Sequence, residues 1–340
     1  MSDRPAAGRG TRAPGAVAPG PEPALRPAPA TRHFLEIDEL RPSELAGLLD
    51  LAERRDPPPV LAGRTVGLVF EKPSNRTRNA TEAAVVQLGG HPVTLQGAEI
   101  GLDVRESAED VGRTLACYHA AVGARVFAHR TLERLAAVSA VPVVNLLSDT
   151  AHPLQALADL LTLRQHWGAL SGHCLAWVGD FTNVARSLAL GAALSGVGVR
   201  VAAPDGYGPT DVDVERVAGL GGDLAVTDRP QEAVAGADAV VTDVWTSMGQ
   251  ESEAEARHRA FEGFTVDGPL MAGAADGAAF LHCLPAHRGD EVAAEVVDGP
   301  ASLVWQEAAN RMHVARALFW WLLAPASSDA VPGTGSGGGR

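Results

Sequence analysis

Between residues 34 and 324, short apolar runs alternate with amphipathic stretches, and this alternation restricts the fold more than any other feature. Strand-like runs fall at 64–70, 91–95, 124–128 and 141–145 in the first half, with helix-like runs at 77–88, 108–121 and 132–139 between them. The second half repeats the scheme, with strands at 174–178, 199–203, 223–226, 239–244 and 279–283 and helices at 184–194, 212–218 and 251–261. A longer helical pattern, 152–167, sits between the halves. Strands that alternate with helices imply parallel sheets covered on both faces. The expected class is therefore α/β: two doubly wound parallel-sheet domains joined by long helices. In such sheets ligands bind beyond the carboxyl ends of the strands, so the loops just after strands are where chemistry is expected.

The 340 residues are enough for two ordinary domains. The Pro-, Ala- and Gly-rich residues 1–33 read as a disordered extension without the apolar stretch of a secretory signal, and 326–340 read as a disordered tail. A formal net charge of −13 argues against a general nucleic-acid surface, so an anion site has to be a local gathering of arginine. Lys72 is the only lysine. Cys117, Cys174 and Cys283 are odd in number and lack a CxxC spacing, which argues against a disulfide framework or a zinc site and suits a reducing cytosol. No apolar run approaches the ~18 residues of a membrane span.

Most of the unusual polar residues follow strands. Ser74-Asn75-Arg76-Thr77-Arg78 opens a helix directly after the first strand. A helix start offers unpaired N–H groups and a positive dipole end, and arginine adds a planar fork that grips phosphate. A plain N-cap with solvated arginines would account for the same residues. His152-Pro153-Leu154-Gln155 offers a donor for a carbonyl oxygen and an amide, although a lone histidine is often structural. The stretch from Trp177 through Asp180 to Asn183 runs from strand into helix but carries only Gly179, not the G-x-G-x-x-G of a dinucleotide loop. Asp243, with Ser247, Met248 and Gly249 behind it, provides a carboxylate for an ammonium. His282-Cys283-Leu284-Pro285 ends another strand, and Arg311 near the start of the last helix is a second candidate anion clamp.

Taken in order, these motifs resemble those of the transcarbamylase family, and within it the ornithine branch. Residues 74–78 are similar to the S-T-R-T-R carbamoyl-phosphate loop, 152–155 to H-P-x-Q, 243–249 to D-x-x-x-S-M-G and 282–285 to H-C-L-P. The resemblance covers roughly residues 34–323 and implies a carbamoyl-phosphate domain at 34–165, an ornithine domain at 166–308, and a C-terminal helix, 309–325, that packs back on the first domain. It implies that Ser74, Asn75, Arg76, Thr77 and Arg311 hold the phosphate. His152 and Gln155, with Arg76 and Thr77, would hold the carbamoyl group. Asn183, Asp243, Ser247 and Met248 would bind the amino-acid end of ornithine, and Cys283, Asp243 and the Leu284 carbonyl would lie near the side-chain amine. Arg76, His152, Asp243 and Cys283 are the implied catalytic set. No metal or organic cofactor is implied; the partners are carbamoyl phosphate, L-ornithine and further copies of the chain in a trimer or a multiple of trimers.

Two positions depart from the family pattern. Cys117 stands where the family's D-T-A-R-x-L-x-R-Y carries a second arginine, expected to bind carbamoyl phosphate. Glu99 stands for the glutamine that the family's S-Q-I-G lends to a neighbouring subunit. Losing one cation beside a phosphate implies a weakened donor site, since a charge-assisted hydrogen bond is worth about 1.5–3 kcal/mol. These departures leave open a paralogue for another diamino acid in secondary metabolism, or a non-catalytic relative.

Overall fold

The computed structural model describes residues 31–246 and 251–324, so the expectations for residues 1–30 and 326–340, and the roles given to Ser247 and Met248, lie outside the described residues. Within them two parallel sheets form. The first has strand order β2-β1-β3-β4, from β1 (Thr65–Phe70), β2 (His91–Gln96), β3 (Ala121–Arg125) and β4 (Val143–Leu147). The second has order β7-β6-β5-β8-β9, from β5 (Cys174–Val178), β6 (Gly198–Ala202), β7 (Leu224–Thr227), β8 (Ala239–Thr242) and β9 (Ala279–His282). The central strands β1, β3, β5 and β8 are buried along nearly their whole length, as parallel strands covered on both faces must be.

The longer helices are α1 (Pro42–Glu53), α2 (Asn75–Gln87), α3 (Ala108–Tyr118), α4 (His129–Val138), α5 (Pro153–Trp167), α6 (Asn183–Ser195), α7 (Asp211–Gly219), α8 (Ala254–Ala260) and α9 (Val304–Leu323). Helix α5 is buried on every side from Pro153 to Leu163, because it lies between the sheets rather than on a surface. One continuous apolar core takes in Leu68 of the first sheet, Leu160 of α5, Leu175 of the second sheet and Leu318 of α9. Helix α9 packs on α1, α2 and α5, so the end of the chain returns to the first sheet. No helix among the described residues is long and apolar enough to cross a membrane.

Two boundaries need correction. Arg32 and His33, expected in the extension, are held by the fold: Arg32 forks onto Glu44 at 2.7 and 2.9 Å, and His33 Nδ1 accepts from the Val143 N–H at 3.1 Å. Strand β3 ends at Arg125, three residues before the expected end at 128, because Ala128 already caps α4.

Candidate active site

In the first sheet, β1 and β3 are adjacent but lead in opposite directions across the sheet; in the second, β5 and β8 do the same. A crevice opens at such a switch point because the two connections leave on opposite faces. Here both switch points open onto one cleft of about 1160 Å³. Gly179, at φ +133°, lets β5 turn away; a Cβ there would sit 3.3 Å from Thr242 Oγ1 on the neighbouring strand.

The wall built by the first sheet is cationic. Ser74 is the N-cap of α2, its hydroxyl accepting from the Thr77 N–H at 3.2 Å, so the first turn of the helix faces the cleft. Three arginines converge there: Arg76 from that turn, Arg125 from the end of β3, and Arg311 from α9. Arg125 Nη1 and Arg311 Nη2 both donate to the Thr77 hydroxyl, at 3.4 and 3.2 Å. Burial, then repulsion from Arg311 and Arg76, lowers the Arg125 pKa to about 10. Burial also depresses Arg311. Arg311 Nη1 donates to Gln155 Oε1, which fixes the amide of α5. His152 is buried; desolvation, then the positive charge of Arg311, Arg125 and Arg76, holds its imidazole well below its ordinary pKa and therefore neutral. Its Nδ1 has no partner among the described residues. A neutral histidine beside three arginines suits a polar, uncharged group, while the arginines call for an anion.

The facing wall is acidic. Asp243, just past β8, is buried, and its Oδ1 accepts from the Val244 N–H at 2.8 Å and from the Cys283 thiol at 3.1 Å. Burial pushes Asp243 upward, and burial with the adjacent Asp243 pushes the Cys283 thiol well up, so the sulfur is a neutral donor and not a nucleophilic thiolate. His282 Nδ1 accepts from the Leu284 N–H at 2.9 Å, which leaves the proton on Nε2, 3.1 Å from Glu291. Asp243, His282 and Cys283 bring potential metal-ligand atoms within 4.8 Å of one another, but each is already engaged by a hydrogen bond. Leu284 adopts the left-handed φ of +59°, a strained conformation for leucine. Its carbonyl accepts from Arg76 Nη2 across the cleft. Asn183, the first residue of α6, donates to the Ser148 carbonyl at 2.6 Å. Asp180 is paired with Arg257 at 2.6 Å on the same wall.

Of the residues singled out in the sequence, Ser74, Arg76, Thr77, His152, Gln155, Asn183, Asp243, Cys283, Leu284 and Arg311 all line this cleft. Asn75 does not: it is exposed, bonded through its Oδ1 to Asn79 at 3.0 Å, and borders a separate hollow beside α2. The expectation for Cys117 is corrected. Cys117 is exposed on α3, its thiol turned back to the Arg113 carbonyl at 3.3 Å, and within this chain it does not reach the cleft. A third arginine, Arg125, lines the cleft instead, and sequence reasoning missed it. Glu99 is exposed and accepts from the Gln96 N–H at 3.3 Å, capping the short turn Gly97–Ile100. Lys72, whose ammonium lies 4.6 Å over the Phe127 ring, and Asp180 are further cleft residues with no sequence signal beyond their place after strands, and Arg257, the partner of Asp180, comes from α8.

Comparison with known proteins agrees with this two-walled arrangement. Residues 32–165 match the aspartate/ornithine carbamoyltransferase carbamoyl-P binding domain, and residues 171–322 match the Asp/Orn binding domain of the same family. The chain is 49% identical to an ornithine carbamoyltransferase of Acidothermus cellulolyticus over 88% of this chain and 99% of that one. The crystal structure of ornithine carbamoyltransferase from Thermus thermophilus superposes with a TM-score of 0.80 at 46% identity, covering 86% of this chain and 99% of the other. The Pyrococcus furiosus enzyme of that name gives a TM-score of 0.82 at 40% identity, with 85% and 96% covered. Two matched domains and close relatives aligned over nearly their full length place the chain in the aspartate/ornithine carbamoyltransferase family, among its ornithine carbamoyltransferases.

Proposed function

We propose that the protein transfers the carbamoyl group of carbamoyl phosphate to the side-chain amine of L-ornithine, giving L-citrulline and phosphate. The observation that carries this reading is the polarity of the cleft: three converging arginines on one wall and the hydrogen-bonded Asp243–Cys283 pair on the other. The phosphate lies at the start of α2 against Ser74, Thr77, Arg76, Arg125 and Arg311. The carbamoyl oxygen turns to Arg76, Thr77 and His152, and the carbamoyl NH2 to Gln155. Ornithine occupies the acidic wall, with Asn183 and the 243–248 loop toward its amino-acid end and Asp243, Cys283 and the Leu284 carbonyl around the reacting amine. The neutral amine attacks the carbamoyl carbon. The C=O electron pair becomes an oxyanion held by fixed donors, then returns to form the carbonyl as the C–O bond to phosphate breaks. Phosphate leaves with that electron pair and takes up the proton released by the amine. Holding two reactants aligned contributes up to ~7–11 kcal/mol in favourable systems.

The domain roles follow the same reading: residues 34–165 for the donor, 166–308 for the amino acid, and the helix from 309 returning to the donor side. We assign the protein to arginine biosynthesis in the cytoplasm, where three unpaired cysteines stay reduced. We further assign it a homotrimer in which Glu99 approaches the donor site of the next subunit. Light scattering should then give three times the 35.2 kDa chain mass. The decisive assay supplies carbamoyl phosphate with L-ornithine, N-acetyl-L-ornithine or L-aspartate. Citrulline from ornithine, in clear excess over the other two ureido products, is the expected result. Turnover of either alternative with none of ornithine would overturn the acceptor assignment.

A further inference from the structure

Behind the cationic wall lie two carboxyl groups that the transfer chemistry does not use. Asp159 on α5 and Glu307 on α9 are 1% and 2% exposed. Both accept from the single NH2 group of Gln155, each at 2.7 Å, and they hydrogen-bond each other. The other oxygen of Glu307 accepts from the His282 N–H at 3.0 Å. The carbonyl end of the same Gln155 amide receives Arg311.

Two buried carboxylates in contact cannot both stay ionised. The charged groups facing them are few. Arg311 lies one turn further along α9, Asp243 and Cys283 close the far side from β8 and β9, and Arg76 and Arg125 act on Arg311 from α2 and β3. Arg311 is the cation that acts on both acids. Were both acids ionised, the cluster behind the anion site would be net negative and would oppose the donor. One retained proton leaves Asp159 balanced by Arg311.

We propose that Glu307 acts as a neutral acid: it donates its proton to Asp159, and the pair is the positioning device that holds Gln155 and Arg311 toward the donor. Burial, then the neighbouring Asp159, pushes Glu307 well up, and burial raises Asp159. A neutral acid at this place is equivalent to a glutamine, which also offers one donor to Asp159 and one acceptor to the His282 N–H. It gives up only the second acceptor for Gln155, whose NH2 keeps Asp159.

The part concerning donor affinity rests on the reading of carbamoyl phosphate at this wall; the protonation state does not. Infrared difference spectra of the full chain at pH 8 should show the carbonyl band of a buried, protonated carboxylic acid. Glu307→Gln should abolish the band, and so should Asp159→Asn, whose amide donates to Glu307 and lets it ionise. Calorimetric titration with carbamoyl phosphate should find Glu307→Gln within roughly threefold of the wild type and Glu307→Leu weaker by roughly tenfold or more. A wild type without the band, a band that survives both polar substitutions, or a glutamine variant as impaired as the leucine one would overturn the proposal. If Glu307→Leu does not fold, the band and the two polar variants still decide it. Citrulline formation by the wild type, measured on the same preparation, tests the functional reading separately.

Discussion

Arg125 closes β3 with a charge that no described carboxylate neutralises: its Nε has no partner among the described residues, and the charges acting on it include Arg311 and Arg76. Such an arrangement is unfavourable for the free protein and favourable for an anion that ties the three cations together. Arg125→Met should weaken carbamoyl-phosphate binding by about 1.5–3 kcal/mol, roughly 10- to 100-fold. The same change should leave the urea midpoint of the ligand-free protein unchanged or higher, because it removes a buried, repelled charge. Calorimetry and urea titration check the two halves; normal donor affinity in the variant would remove Arg125 from the site. Cys117→Ser, on the exposed face of α3, should alter neither measurement.

At the scale of elements, the strands were legible because buried parallel strands leave short apolar runs such as residues 174–178, bounded by polar or turn residues. The helix starts were harder. Helix α2 begins at Asn75 and not at 77, since Ser74 already caps it, and that shift brings Arg76 and Thr77 into the first turn where N–H groups point at the cleft. The displacement of β3 mattered more. Placing the strand at 124–128 put Arg125 near its beginning, where a side chain lies far from the switch point; ending it at Arg125 puts the same residue at the carboxyl edge. The available signal was an arginine closing the small apolar run 121–124, a charge that a strand buried on both faces places at its end rather than near its beginning. Glu307 was invisible for another reason. Its role depends on meeting Asp159 from a helix 148 positions away, and no local pattern reports such a meeting.

At the scale of the whole molecule, the segments that join the two sheets carry their own electrostatics. Glu36, in the entering segment, accepts from the Ile37 N–H and the Ser187 hydroxyl, both at 2.8 Å, and the Ser187 oxygen in turn accepts from the His152 N–H at 2.9 Å. Burial pushes the Glu36 pKa from 4.5 up to about 7. The folded chain therefore keeps a proton that the unfolded chain releases, so stability falls as pH rises from about 4.5 to about 7 and the cost is complete above that. Glu36→Gln keeps the accepting oxygen without the charge. It should stabilise the protein at pH 8 by up to about 3 kcal/mol, with the advantage shrinking toward pH 5, as urea titrations at the two pH values would read. An equal gain at both would mean that the proton is not the cause. A second link, Arg76 donating to the Leu284 carbonyl, spans the walls directly and engages the oxygen proposed above for the incoming amine. On the proposed reading, a bound phosphate draws Arg76 away and releases that oxygen, so the two substrates become ordered in time: the second seat improves once the first is taken. Linkage makes such a coupling mutual. Ornithine titrated into the free protein should bind roughly tenfold more weakly than with inorganic phosphate present, and equal affinities would mean that the molecule keeps no such queue.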